Sequence, residues 1–152
     1  MIREIVHYLE FIKNGELYYS SVGDSSVSLL RNGVLTQLNR EHTLKIELDE
    51  KAARGEISFE EAQSDSQRNA LTSYIGIDGE LQRDYNSEAI GVLPGDRLLL
   101  MTDGVFGTVS NEEIAAIVSG SDIYNAGIML ENAIVQKGKP NQDNYTAIIL
   151  KI

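Results

Sequence analysis

Two Asn-Gly dipeptides, each set between short runs of β-branched and aromatic residues, constrain the fold of this chain more than any other feature. They are Asn14-Gly15 and Asn32-Gly33. Asn-Gly favours two-residue hairpin turns, because both of its residues adopt positive φ readily. The flanking strands are predicted over residues 4–12, 16–22, 25–31 and 34–38. We expect these four strands to form one antiparallel meander with alternating faces.

Later segments add helices and two further strong strands. The apolar run at 97–101 and the final segment at 145–152 predict buried and closing strands, and a short strand is expected near 82–85. Helices are predicted over residues 49–54, 58–63, 111–118 and 124–137. Ser58 with Glu61 and Ser110 with Glu113 fit capping boxes, and Gly138 ends the last helix. The fold class is therefore α+β with mainly antiparallel sheets, in one domain over residues 1–152.

Charge and composition exclude several functions. The chain has 13 basic and 23 acidic residues, for a formal charge of −10, which argues against a nucleic-acid surface. It has no cysteine, and therefore no thiolate metal site or disulfide. No apolar run approaches the roughly 20 residues of a membrane helix, and the first residues do not resemble a secretory signal. These observations predict a cytoplasmic protein with no membrane partner.

Three aspartates lie at strand ends, where side chains are rigidly aimed. Asp24 follows Gly23 between two predicted strands, Asp103 follows the 97–101 strand and precedes Gly104, and Asp143 precedes Asn144 before the last strand. Carboxylates that converge from adjacent strands suit a hard divalent cation, and a neighbouring glycine allows close approach. Aspartate beside glycine or asparagine is also common in ordinary turns, so the spacing leaves both interpretations open.

Four segments resemble the metal-dependent protein serine/threonine phosphatases of the PPM, or PP2C, type. In the family's order they are VGDSSVSLLRNG (22–33), QRNALTSYIG (67–76), LPGDRLLLMTDGVFGTVSNEEI (93–114) and NQDNYTAIIL (141–150), with GEISFEEA (55–62) as a further likeness. The third is the most specific, because a strand, TDG and a helix opening with SNEE recur together in few families. The resemblance runs from about residue 5 to the end.

The resemblance assigns roles to individual positions. Asp103 matches an aspartate that ligates one metal of the family's binuclear centre, and Asp143 matches the last ligand of that ion. Asp24 matches an aspartate of a further weak metal site in bacterial members, and Gly23 and Gly104 match the adjacent turn glycines. The implied cofactor is Mg²⁺ or Mn²⁺, and the implied reaction is attack of metal-activated water on phosphoserine or phosphothreonine of a phosphoprotein.

The sequence also departs from the family pattern. The family's opening arginine that holds phosphate, its early acidic residue, its DG-x-GG motif and the nearby histidine have no counterpart here. The only other Asp-Gly, Asp78-Gly79, lies in a hydrophilic loop. The resemblance therefore implies a PP2C-like sandwich without its opening strands and first two helices. We expect such a chain to bind metal weakly, and to be an inactive or weakly active fragment.

Other candidate residues are expected to serve structure. His7 lies in a predicted strand and His42 follows another, so both are interpreted as packing residues. Arg68 and Asn69 are expected to anchor the insertion over about 44–75, which matches a family flap that borders the active site and influences substrate choice. The acidic side chains of this insertion are interpreted as a solvated face.

Two alternatives to a phosphatase fragment remain open on the sequence. One is a non-catalytic PP2C-like binding or regulatory module, and the other is an unrelated acidic β-rich domain whose aspartates are turn residues. If opening strands and helices are missing, apolar sheet surface and a free strand edge are uncovered. The chain is then expected to form a homodimer through the exposed face or edge, or to rearrange to cover it.

Overall fold

A computed structural model describes the backbone of residues 7–152 and the side chains from residue 11 onward. The strands are β1 (His7–Lys13), β2 (Glu16–Val22), β3 (Ser26–Arg31), β4 (Val34–Gln37), β5 (Asp84–Tyr85), β6 (Ile90–Gly91), β7 (Arg97–Met101) and β8 (Ala147–Lys151). The helices are α1 (Leu44–Ala53), α2 (Phe59–Ser64), α3 (Asp103–Phe106), α4 (Asn111–Gly120) and α5 (Ile123–Lys137).

Both predicted hairpins are present. Asn14 and Gly15 have φ of 54° and 77°, and Asn32 and Gly33 have φ of 52° and 78°. Positive φ at both central residues is the backbone that an Asn-Gly turn provides, and its twist matches the twist of the flanking strands. β1 pairs with β2 and β3 pairs with β4, in both cases antiparallel.

The predicted four-stranded meander is wrong, because β2 and β3 lie in different sheets. The first sheet contains β1, β2 and β5, with β6 also paired to β2. The second sheet has the order β4-β3-β7-β8. Gly23, with φ of 100°, lies in the turn between β2 and β3, and this left-handed conformation redirects the chain. All described strand pairs are antiparallel, which agrees with the predicted α+β class with mainly antiparallel sheets.

Two apolar cores separate three layers, which are the first sheet, the second sheet and the helices. The first core lies between the sheets and contains Leu17, Tyr19, Val27, Leu29, Val92 and Leu98. The second core lies between the second sheet and the helices and contains Leu30, Leu99, Met101, Val105, Val109, Ile114, Ala115, Val118, Leu130 and Ile134. Adjacent residues Leu98 and Leu99 of β7 point into different cores, as strand alternation requires. β7 is therefore buried on both faces and holds its C-terminal end rigidly.

Helix boundaries agree with the sequence where a local cap defines them. Ser58 and Ser110 each accept a hydrogen bond from the backbone N–H three residues later, and each capping box is complete. Gly138, with φ of 57°, ends α5 in the left-handed conformation. The prediction of a helix over 49–54 is wrong at its start, since α1 begins at Leu44, where side-chain packing rather than a side-chain cap fixes the first turn. α3 and β6 were not predicted, because four-residue and two-residue elements are too short to show periodicity.

The insertion over residues 44–75 has a small core of its own. Leu48, Ala52 and Ala62 are its buried members. Arg68 donates to both carboxylate oxygens of Asp49 at 2.9 and 2.8 Å and to the Ala62 carbonyl at 2.9 Å. Arg68 thus anchors the insertion, as its sequence position indicates. Within the part of the chain described here, no helix is both long and apolar enough to cross a membrane.

Apolar side chains remain exposed on both sheets. Phe11 and Tyr85 lie on the outer face of the first sheet and are 57% and 58% exposed. Ile148 and Leu150 of β8 lie on the side of the second sheet that faces the first, yet they are 50% and 41% exposed. Among the described strands β8 pairs only with β7, so the other edge of β8 is open in this part of the chain.

Candidate metal cleft

An open cleft of about 420 Å³ collects all three aspartates that the sequence singles out. Asp24 comes from the β2–β3 turn, Asp103 from the end of β7, and Asp143 from the loop before β8. Convergence from three distant positions is what a cation site built on strand ends requires. Among the side chains of residues 11–152, however, no group of three or more acidic, histidine or cysteine residues is close enough to hold one metal ion.

Asp103 is aimed by the buried strand that precedes it. β7 ends at Met101, Thr102 is extended, and Asp103 starts the short helix α3. One carboxylate oxygen of Asp103 accepts the N–H of Gly104 at 2.8 Å. Asp103 is exposed to the cleft while Gly104 and Val105 behind it are buried. This arrangement holds the backbone and leaves the second carboxylate oxygen accessible.

Close backbone packing brings the Asp103 and Asp143 turns together. A Cβ atom at Gly104 would lie 3.0 Å from the carbonyl carbon of Asn144 and 3.2 Å from the carbonyl oxygen of Asp143. Only glycine leaves room for two backbones at this separation. Asp143 has the same local geometry as Asp103, since its Oδ1 accepts the following N–H, from Asn144, at 2.8 Å. The glycine beside Asp103 therefore allows the close approach of the two turns that carry the carboxylates.

Gln142 links the same two turns and was not identified from the sequence. Its side-chain amide donates to the Gly104 carbonyl at 2.9 Å and to the Asp143 carbonyl at 3.1 Å. Its side-chain oxygen accepts from the Thr108 hydroxyl at 2.8 Å. A glutamine in a polar loop has no local signal for such a role, because two of its three partners, Gly104 and Thr108, lie more than 30 positions away.

The cleft is electrostatically suited to cations. Asp24, Glu41, Asp103 and Asp143 supply four carboxylates, and Lys45 and Lys139 supply two ammonium groups. Lys139 donates to the Gly107 carbonyl at 3.1 Å, which holds its charge at one side. The excess of carboxylate oxygen matches the preference of Mg²⁺ and Mn²⁺. Asn69 also lines the cleft, in addition to its place in the insertion.

Of the two histidines, His42 is the one whose side chain the structure describes. His42 is buried and hydrogen-bonded, as expected of a packing residue, and its Nδ1 accepts the N–H of Gly23 at 3.1 Å. The side chain of His7 lies outside the described residues. No histidine is among the described residues that line the cleft. The potential metal ligands that the described part of the cleft offers are therefore oxygen atoms.

The known proteins that resemble this chain are phosphatases. No family model matches the chain. Protein phosphatase PhpP of Streptococcus pneumoniae serotype 2 is 36% identical over 112 residues, which cover 74% of this chain and 43% of that protein. Serine/threonine phosphatase stp of Listeria monocytogenes is 30% identical over 138 residues, which cover 90% of this chain and 52% of that protein. This chain belongs to the PP2C-type serine/threonine phosphatase family.

Solved structures agree with this assignment. The serine/threonine phosphatase of S. agalactiae superimposes with a TM-score of 0.77 at 26% identity, covering 93% of this chain and 56% of that one. The catalytic domain of PstP, solved in complex with two manganese ions, gives a TM-score of 0.64 at 28% identity and covers 92% of this chain and 55% of that one. The chain spans about half the length of the relatives it matches, which fits a C-terminal portion of the domain.

Proposed function

We propose that this chain supplies the late carboxylates of the metal centre in a PP2C-type protein serine/threonine phosphatase. The observation that carries the proposal is the convergence of Asp24, Asp103 and Asp143 on one cleft of a phosphatase-like fold. Asp103 and Asp143 are proposed as ligands of one ion, and Asp24 as an auxiliary ligand. Gly23, Gly104 and Asn144 shape the turns that present them.

The chemistry follows from the ligand set. A bound Mg²⁺ or Mn²⁺ would lower the pKa of water and offset charge on a phosphoryl group. Asp103 and Asp143 would hold such an ion near the end of β7, and Lys45 and Lys139, which also line the cleft, favour an anionic substrate approaching from solvent. The substrate class proposed is a phosphoserine or phosphothreonine side chain of a protein. The cytoplasm is the proposed location, in keeping with a chain that contains no cysteine.

We propose that these 152 residues alone bind the cation weakly and turn over substrate poorly. Among the described residues no three potential ligands are close enough for one ion, and no DG-x-GG stretch occurs in the sequence. A site with few charged ligands is expected to have a dissociation constant on the order of 0.1–1 mM. The alternative, a PP2C-like module that only binds or regulates, is not favoured by relatives that are named as phosphatases.

Mn²⁺ binding measured by electron paramagnetic resonance tests the site. Asp103→Asn is expected to weaken binding at least tenfold, because it removes a proposed direct ligand. Asp78→Asn is the matched control, since Asp78 also precedes a glycine but lies outside the cleft. Equal affinity in all three proteins would refute the assignment.

Hydrolysis of p-nitrophenyl phosphate tests the activity of the chain. Slow turnover in millimolar Mn²⁺ is expected. Rapid Mn²⁺-dependent turnover that Asp103→Ala abolishes would refute the weakly active fragment. The same assay with a phosphothreonine peptide reports whether the substrate class is correct.

We also propose that the exposed apolar surface is covered by a second copy of the chain. The exposed Ile148 and Leu150, beside the open edge of β8, offer strand pairing together with apolar burial. Analytical ultracentrifugation is expected to show a dimer that Ile148→Lys weakens, while Lys51→Glu, in the insertion, leaves the dimer unchanged. A strictly monomeric chain with solvent-protected β8 amides would instead support internal rearrangement.

A further inference from the structure

The turn that carries Asp24 is buried on both sides of that residue. Gly23 and Ser25 are buried, and Gly23 has a left-handed φ of 100°. Backbone N–H and C=O groups removed from water need partners, and a turn cannot supply them through a sheet ladder. Here the partners come from the connection between β4 and α1, residues 38–43, which we call the brace segment.

His42 of the brace segment binds both polar backbone atoms of Gly23. The Gly23 N–H donates to His42 Nδ1 at 3.1 Å, and the His42 N–H donates to the Gly23 carbonyl at 2.8 Å. Because Nδ1 is an acceptor, the imidazole is neutral with its proton on Nε2. The residue immediately before Asp24 is thereby fixed in two directions.

Asn39 of the brace segment holds the other side of the turn. Its side-chain oxygen accepts the Val27 N–H at 2.7 Å. Its amide group donates to the Ser25 carbonyl at 2.9 Å and to the Ser21 hydroxyl at 3.1 Å. A buried amide with three partners at 2.7 to 3.1 Å is rigid, since losing any one would leave a polar group unpaired.

The brace segment is also tied to the insertion. The Thr72 N–H donates to the His42 carbonyl at 2.9 Å, and the Leu44 N–H donates to the Ala70 carbonyl at 2.9 Å. Thr43 and Leu71 form an isolated antiparallel bridge between these bonds. The backbone of His42 is therefore fixed by the insertion while its ring is fixed against the Asp24 turn.

We propose that His42 and Asn39 are positioning residues that set the direction of the Asp24 carboxylate in the cleft. Neither residue lines the cleft, so both act through the backbone of Gly23 and Ser25. The effect on metal binding rests on the proposed function, whereas the effect on the turn does not. An ordinary packing role would make a substitution lower overall stability without a specific change at Gly23.

The test compares two substitutions of His42. His42→Leu keeps a similar volume but removes the acceptor, whereas His42→Asn places an amide oxygen near the position of Nδ1. Amide hydrogen exchange of Gly23, measured by NMR without metal, is expected to accelerate at least tenfold in His42→Leu and to recover in His42→Asn. Mn²⁺ affinity is expected to fall about tenfold in His42→Leu, the usual scale for loss of an outer-shell partner, and to recover likewise.

Asn86→Ala is the matched control. Asn86 also makes three backbone hydrogen bonds, to the Tyr19 N–H at 2.6 Å and to the Leu17 and Glu88 carbonyls, but it lies outside the cleft and the brace segment. This variant is expected to be less stable than the wild type. Its Mn²⁺ affinity, and the exchange rate of Gly23 relative to global unfolding, are both expected to be unchanged. Ser21→Ala, which removes one partner of Asn39, is a milder variant. It should accelerate Gly23 exchange and weaken Mn²⁺ binding two- to threefold, in the same direction as His42→Leu.

Two results would overturn the proposal. One is wild-type protection of Gly23 in both His42→Leu and Ser21→Ala, and the other is equal acceleration in Asn86→Ala. If His42→Leu does not fold, Ser21→Ala decides by the same measurement. If neither the wild-type chain nor Asp24→Asn binds Mn²⁺, the proposed metal site fails. Gly23 exchange still decides the role of His42 in that case.

Discussion

Replacing Gly104 by alanine should break the contact that sets the spacing of Asp103 and Asp143. The added Cβ would lie closer than 3.0 Å to the carbonyl oxygen of Asn144 and 3.0 Å from its carbonyl carbon. All the atoms it meets belong to backbone, so no side chain can rotate away. The 143–144 turn must then move by about half an ångström or more, because carbon and oxygen do not approach so closely.

The expected cost of Gly104→Ala is about 1–3 kcal/mol in the free energy of unfolding, the usual range for overpacking a buried site. Urea unfolding followed by circular dichroism measures it. A shift of the turn also separates the two carboxylates, so Mn²⁺ affinity should fall together with stability. NMR chemical shifts of the Asn144 amide report the movement directly.

Gly127→Ala provides the control for this prediction. Gly127 lies within α5, and a Cβ there meets nothing within 4 Å. Alanine should stabilise that helix by up to about 1 kcal/mol and leave Mn²⁺ affinity unchanged. If Gly104→Ala is as stable as the wild type and the Asn144 amide does not shift, the argument from close packing is wrong.

Arg31→Met should lower stability at pH 7, because it leaves the Asp96 carboxylate, which is only 4% exposed, without its ion-pair partner. Hydrogen bonding from Arg31 holds the pKa of Asp96 below its ordinary value, so this stabilisation is present above about pH 4 and is lost as pH falls through the lowered pKa; urea midpoints of both proteins should converge in acid. Ser110→Ala removes the capping box with Glu113 and should cost about 1 kcal/mol, measured by thermal unfolding, with Mn²⁺ affinity unchanged. Gln142→Ala removes the link between the Asp103 and Asp143 turns and should cost about 1–2 kcal/mol in urea; an unchanged midpoint would contradict the bonds described.

Local sequence signals predicted the elements that local physics determines. The Asn14-Gly15 turn needs positive φ at both residues, and the Ser110 cap needs only its own first helical turn, so both were visible without tertiary structure. The β7 strand was predictable because five consecutive residues suit burial on both faces. These elements depend on neighbours within a few positions.

Long-range contacts explain what the sequence did not reveal. The crossing from β2 to β3 depends on Gly23 and its partners in the brace segment, about 19 positions away. The link through Gln142 depends on Gly104, 38 positions earlier. The three aspartates are predictable as turn residues, but only the fold brings them to one cleft. The close backbone packing between the Asp103 and Asp143 turns is not visible in any sequence pattern.

The insertion over residues 44–75 has a core separate from those of the sheets, so it should open more easily than the sheets do. The buried residues of this core are one leucine, Leu48, and two alanines, Ala52 and Ala62, so they can stabilise the 44–75 segment by only a few kcal/mol relative to an opened form. This segment is therefore expected to unfold as a local unit while both sheets remain intact. Such a segment can lengthen, shorten or change sequence in evolution at little cost to the sandwich, provided that the backbone bonds at Thr72 and Leu44 are kept.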